Sequence, residues 1–172
     1  MKQLQDKTQM TPCDSPLPEL EGPMINTMVA CLGFEHQKLN DLVMQLACAA
    51  TRLANDPGSV TANERALQLR DEIRHALRSH LQIEDGLVSW GKEHQAISGA
   101  ILDIVKNERL EIRKSMAALR ALSYGIDHEP QTAEDHSGFA QTLLALARTL
   151  DSHVERYDAD VLPSILRALS HP

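Results

Sequence analysis

The sequence predicts an all-α protein, an up-down-up-down antiparallel four-helix bundle preceded by an extended N-terminal arm. Three observations lead there. The 172 residues are 42% hydrophobic but only 3% aromatic, too few rings for an ordinary β-sandwich core. Leu, Ala, Met and Ile fill the apolar positions instead, and in four long segments they recur at helical spacing. Short polar stretches separate the segments, so consecutive helices are expected to pack as neighbours. A chain of this length makes one domain.

Residues 1–25 form the expected arm, because Pro12, Pro16, Pro18 and Pro23 lie there in a polar setting. The bundle is expected over residues 26–170. Its first helix runs from about Asn26 to Leu53 on the stripe Val29, Leu32, Leu39, Val43, Leu46 and Ala50, and Asn55-Asp56-Pro57-Gly58 ends it. The second has Thr61 as a cap with Glu64 three residues on, carries Ala66, Leu69, Ile73, Leu77 and Leu87, and fades at Trp90-Gly91. The third is expected from near Lys92 to about Tyr124-Gly125 on Ile97, Ile101, Val105, Ile112 and Leu119. The fourth starts between Thr132 and Ser137 and carries Leu143, Leu146, Leu150, Val161 and Ile165, with Pro163 marking a kink or an early end.

Acidic residues outnumber basic ones 24 to 17, a net charge of -7, so there is no overall positive field to hold nucleic acid or an anionic membrane surface. Neither a membrane-spanning run nor a signal-peptide stretch stands out, and the expectation is a soluble, cytoplasmic protein. Cys13, Cys31 and Cys48 include no C-x-x-C; Cys31 and Cys48 fall in apolar helical pattern and are expected as reduced core thiols.

Eight histidines are the notable item of composition. At about 100° per residue, His80 and Glu84 fall at the centre of the second helix's apolar stripe, His36 at the centre of the first, His94 in line with Ile101 and Val105, and His153 between Leu150 and Val161. His75 falls on the solvent side; His128, His136 and His171 are expected in loop or tail. His36 and His80 are equidistant from Gly58 in the turn, so they should share a level, and all four inward histidines should converge near one end. Imidazole and carboxylate donors converging from bundle helices make a transition-metal site, since nitrogen donors suit iron, zinc, copper and nickel. A second carboxylate would come from the fourth helix, where Tyr157 points inward and Asp158 and Asp160 flank the stripe; geometry does not choose between the aspartates.

Glu35-His36, His80-Leu-Gln-Ile-Glu84-Asp85, Glu93-His94 and His153-Val-Glu-Arg-Tyr157-Asp158, followed by Val161-Leu162-Pro163, together resemble the hemerythrin-like (HHE cation-binding) family. The resemblance implies a non-haem, usually di-iron centre bridged by carboxylates, held by His36, His80, Glu84, His94 and His153. It also implies Asp158 as the second bridge and Tyr157 as a ligand or supporting donor. Oxygen-carrying members have a further histidine one turn after the third-helix ligand; Ser98 stands there, which implies an open coordination site and argues against reversible oxygen carriage. The expected function is oxygen or nitric oxide sensing, iron handling or redox response, with a diatomic ligand as partner. A peroxide-consuming or oxidase activity is the weaker enzymatic reading. The alternative is a structural bundle whose histidines are hydrogen-bonded or hold an incidental zinc.

Overall fold

A computed structural model describes residues 22–128 and 132–170. It is all-α, built from α1 (Gly22–Asn55), α2 (Val60–Glu93), α3 (Gly99–His128) and α4 (Ala133–Arg156). A five-residue π-helical turn (Tyr157–Val161) then leads into the short α5 (Leu162–Ser170). No described helix is long and apolar enough to cross a membrane. Most of the expected arm lies outside the described residues, but Gly22–Ile25 are already helical and Ile25 is fully buried. Pro23 is accommodated there because the first turn needs no N–H from it.

Contacts of Glu35 with Ser79 and of Gln45 with Arg65 run in opposite order along α1 and α2, so this pair is antiparallel. α1 also packs along α4, and α3 packs mainly on α4, touching α2 only lightly. Inward residues form two apolar clusters. The larger contains Leu39 to Leu53 of α1, Ala62 to Leu77 of α2, Ile112 and Leu119 of α3, and Phe139 to Val154 of α4. The smaller gathers Ile25, Leu32, Leu87, Trp90, Ile97, Val105, Tyr157, Val161 and Ile165 at the other end.

Several boundaries differ from expectation. Ser59, not Thr61, caps α2, its side chain accepting from the Ala62 N–H. α4 starts at the early end of the expected Thr132–Ser137 range, on a reciprocal capping box between Thr132 and Asp135. His136 therefore lies in the first turn of α4, and His128 is the last residue of α3, rather than both lying in a loop. His75 is exposed, as its place on the helix predicts, and His171 is outside the described residues.

The largest shift concerns the α2–α3 junction. α2 continues to Glu93 and closes through Ala96 N–H to Gly91 O (2.8 Å) and Gln95 N–H to Lys92 O (3.2 Å), with Gln95 at φ 54°. This is a Schellman close with glutamine in the left-handed position that glycine usually takes, so the stop carries no glycine signal. Gly91 serves packing instead, since a Cβ there would stand 2.4 Å from Ile97 Cδ1. α3 then starts at Gly99, seven residues later than near Lys92.

Cys31 and Cys48 are free and exposed, not core thiols. On a helical wheel they lie about 140° and 120° from the inward direction of His36, well outside the stripe.

Candidate metal centre

Between the two apolar clusters each long helix interrupts its inward stripe with polar residues at one level. α1 places His36 between Leu32 and Leu39, α2 places His80 and Glu84 between Leu77 and Leu87, α3 places Glu108 and Arg109 between Val105 and Ile112, and α4 places His153 between Leu150 and Tyr157. His36 is 3% exposed, and His80, Glu84 and His153 are fully buried. Such burial is costly unless the groups are paired or hold a metal.

His36 and His80, expected at one level, have ring centroids 5.0 Å apart, and His80 and His153 are 5.5 Å apart. Oε1 of Glu84 lies 3.2 Å from His80 Nε2 and 2.9 Å from His153 Nε2, while the two ring nitrogens are 3.3 Å from one another. One ligand atom each from His36, His80 and Glu84 falls within 4.8 Å of the others. Behind the rings stand carboxylates: His36 Nδ1 meets Asp158 Oδ1 at 2.7 Å, and His153 Nδ1 meets Glu108 Oε2 at 3.2 Å. An outer carboxylate on Nδ1 orients an imidazole and leaves Nε2 for a metal.

The cluster is polar beyond what it satisfies internally. His36 Nε2, His80 Nδ1, Arg109 Nε, Tyr157 Oη and Glu84 Oε1 are buried without a well-formed hydrogen bond among the described residues. Native interiors seldom leave several such atoms at one place unless an ion or water completes them. Imidazole nitrogens, a carboxylate and a phenol are donors that suit a transition metal, so the residues fit one.

The electrostatics favour the ligating form at Glu84 and His36 and oppose it at His153, whose proton a metal would have to displace. Burial pushes the Glu84 carboxyl up, but the imidazoles of His153 and His80 outweigh it and hold it well below the usual carboxylate range. Burial pushes His153 down, yet Glu84 and Glu108 reverse that and raise it. Burial, with His80 adding to it, lowers His36 against the pull of Asp158. Burial raises the Tyr157 phenol, which therefore stays protonated. A low Glu84 carboxyl and a low His36 favour the charged carboxylate and neutral imidazole that a metal requires.

Two expected residues are elsewhere. His94 is the exposed C-cap residue of α2, stacked on Trp90 with centroids 4.4 Å apart and its Nδ1 2.9 Å from Trp90 O. Ser98 is likewise exposed and caps α3, its Oγ 3.4 Å from the Ile101 N–H. Both follow from α2 running past Trp90: the inward register assigned to His94 assumed that it already belonged to the third helix. Ser98 therefore marks no open coordination position.

The fourth-helix residues are also redistributed. Tyr157 is buried, its ring edge-on to His36 and His153. Asp158 supports His36 from the solvent side, half exposed, instead of standing between donors as a bridge. Asp160 is exposed and its carbonyl accepts from Ser164 Oγ. Both aspartates keep the flanking positions that a regular helix gives them, and the inward position that a bridge would need is held by Tyr157. A π turn follows, in which Leu162 N–H reaches back five residues to Tyr157 O, just before Pro163, which has no N–H to give.

Glu108 and Arg109 were not foreseen. Arg109 Nη2 is 3.1 Å from Glu84 Oε2, with Nη1 on Asp85, and Glu108 also takes Arg156 at 2.9 Å. The signal was available: in the α3 stripe Ile101, Val105, Ile112 the rung three to four residues after Val105 is missing, and these two residues fill it.

The family model for the hemerythrin HHE cation binding domain matches residues 27–165. This chain belongs to that family. Its hemerythrin-type bundle is thus a metal-binding one, with a buried histidine and glutamate cluster at its centre. Comparison with curated proteins and with solved structures gave no match. The buried histidines and glutamate of this cluster come from α1, α2 and α4, while α3 supplies the carboxylate and guanidinium that contact them.

Proposed function

We propose that this hemerythrin-like chain is an iron protein that senses or handles oxygen or nitric oxide at a centre held by His36, His80, Glu84 and His153. The observation that carries the reading is the meeting of these donors in one buried layer, with polar atoms left unsatisfied there. Iron bound there supplies one-electron redox chemistry and a coordination position for a small ligand. The residues do the rest. Asp158 and Glu108 fix two rings through Nδ1, the apolar clusters on either side limit water, and Tyr157 offers a protonated hydroxyl beside two of the rings.

In this reading the centre takes one ion. A carboxylate that bridges two metals spends one oxygen on each, whereas Glu84 turns Oε1 to the imidazoles and gives Oε2 to Arg109. The guanidinium, a fixed positive charge, stands on the side from which a second cation would approach. A two-ion centre is the second reading, favoured by the supply of further carboxylates, Glu108 and Asp158, already on two of the histidines.

Elemental analysis of chain purified without added metal tests both. About one iron per chain is expected; about two supports the second reading, and a metal-free chain that does not take up iron(II) leaves the structural bundle. Zinc in place of iron would remove the sensing role while leaving the ligand set.

A further inference from the structure

The light contact between α2 and α3 leaves a groove of about 720 Å³ on the side of the bundle, a size suited to a small molecule. Its lining is unusual for a chain of net charge -7: Arg70, Arg74, Arg78, Arg113 and Arg120 face it from both walls, five of the eleven arginines in the sequence. Asp71 is the one carboxylate in the lining, and it is shared by Arg70 at 3.0 Å and Arg74 at 3.7 Å. Arg78, Arg113 and Arg120 have no ion pair among the described residues. The floor beneath them is apolar, with Leu81, Ile112 and Met116.

Like charges on opposing walls resist closure of the groove, and arginine stems covering apolar surface do not neutralise one another. An anion between the walls would remove that repulsion, and a guanidinium fork suits an oxyanion in particular. The Asp85–Arg109 ion pair, with residues 70–81 of α2 and 112–120 of α3 lining one groove beyond it, sets the two helices antiparallel, and this register brings Arg113 near Leu81 and Arg78 near Met116. The unpaired Arg78 and Arg113 thus share the end of the groove nearer the histidine layer. From Arg70 to Leu81 the α2 wall extends about 16 Å at 1.5 Å per residue, room for an extended chain.

We propose that this groove binds an amphipathic carboxylate of the fatty-acid class, its head held by Arg78 and Arg113 and its tail laid over Met116, Leu77 and Ala117. The site lies outside the metal centre and does not depend on which metal, if any, that centre holds.

Calorimetric titration of the full chain with decanoate tests the proposal, with decanol and inorganic phosphate titrated in parallel. One saturable decanoate site per chain is expected, with decanol and phosphate each at least about tenfold weaker because each offers half of the recognition. The double variant Arg78→Gln/Arg113→Gln should weaken decanoate at least about tenfold while leaving helical content and iron content unchanged, since both side chains are exposed. Met116→Trp, which fills the floor and keeps every charge, should weaken it similarly. Absence of saturable binding overturns the proposal. Equal affinity for decanol, equal affinity for phosphate, or indifference to both variants overturns it as well. Loss of iron from unmodified chain with decanoate binding intact would instead count against the metal reading alone.

Discussion

Arg109 Nη2 stands 3.1 Å from the fully buried Oε2 of Glu84, so α3 delivers a cation to the carboxylate at the centre of the bundle. The pair decides how the layer tolerates burial before metal arrives. Removing the guanidinium costs Glu84 one charge-assisted hydrogen bond, while His80 and His153 stay on its other oxygen. Arg109→Met should therefore destabilise the metal-free chain by about 2 kcal/mol in urea unfolding, and bound metal should recover part of the loss by offering Glu84 another positive charge. Equal stability of variant and parent without metal would mean that the guanidinium does not compensate Glu84.

His94 should be dispensable for metal. It is exposed and stacked on Trp90, so His94→Ala is expected to leave iron per chain unchanged, whereas His80→Ala should remove most of it. Ser98→His should likewise leave oxidation of the reduced protein by oxygen at its original rate, because the residue caps α3 in solvent. Loss of iron in His94→Ala would restore the histidine to the ligand set.

Asp158 and Asp160 separate two roles that their sequence positions leave tied. Asp158 reaches His36 Nδ1, so Asp158→Asn keeps an acceptor there and removes the charge that strengthens the imidazole as a donor. Metal affinity should fall by about tenfold, the low end for partners behind a ligand. Asp160→Asn should have no measurable effect, read by competition with a chelator of known affinity.

Much of this was legible in the chain. Stripe periodicity located four helices, and the equal spacing of His36 and His80 from Gly58 put both at one level, as their 5.0 Å ring separation bears out. What stayed hidden depended on backbone choices that side-chain pattern does not encode. Gln95 takes a left-handed conformation with no glycine to announce it, so α2 outran its expected end and carried His94 out of the core. Asp158 kept its flanking place, and its partner, His36 Nδ1, follows from the packing of α1 on α4, which the pattern of neither helix alone encodes. Glu108 and Arg109 were passed over because charged residues look solvent-facing until the missing rung between Val105 and Ile112 is counted.

The capping box of α4 gives a test away from the centre. Thr132→Ala removes the acceptor for the Asp135 N–H and should cost about 1 kcal/mol. The Thr132 hydroxyl and N–H, both donating to Asp135, hold its carboxyl below the ordinary aspartate range. A depressed carboxyl stabilises the fold above its unfolded value, and that contribution disappears as pH falls through the lower folded value. The difference in melting temperature between parent and Asp135→Asn should accordingly be present at neutral pH and shrink in acid below the ordinary aspartate range. A difference that grows in acid would contradict the sign.

In the proposed centre His36, His80, Glu84 and His153 share one metal ion. Anomalous diffraction from crystals of iron-loaded chain, collected on either side of the iron edge, locates that ion directly. A single peak is expected in the buried layer between α1, α2 and α4, within bonding distance of the three Nε2 atoms and of Glu84. Two peaks in the layer, a peak at His94, or no peak among these four side chains would contradict it.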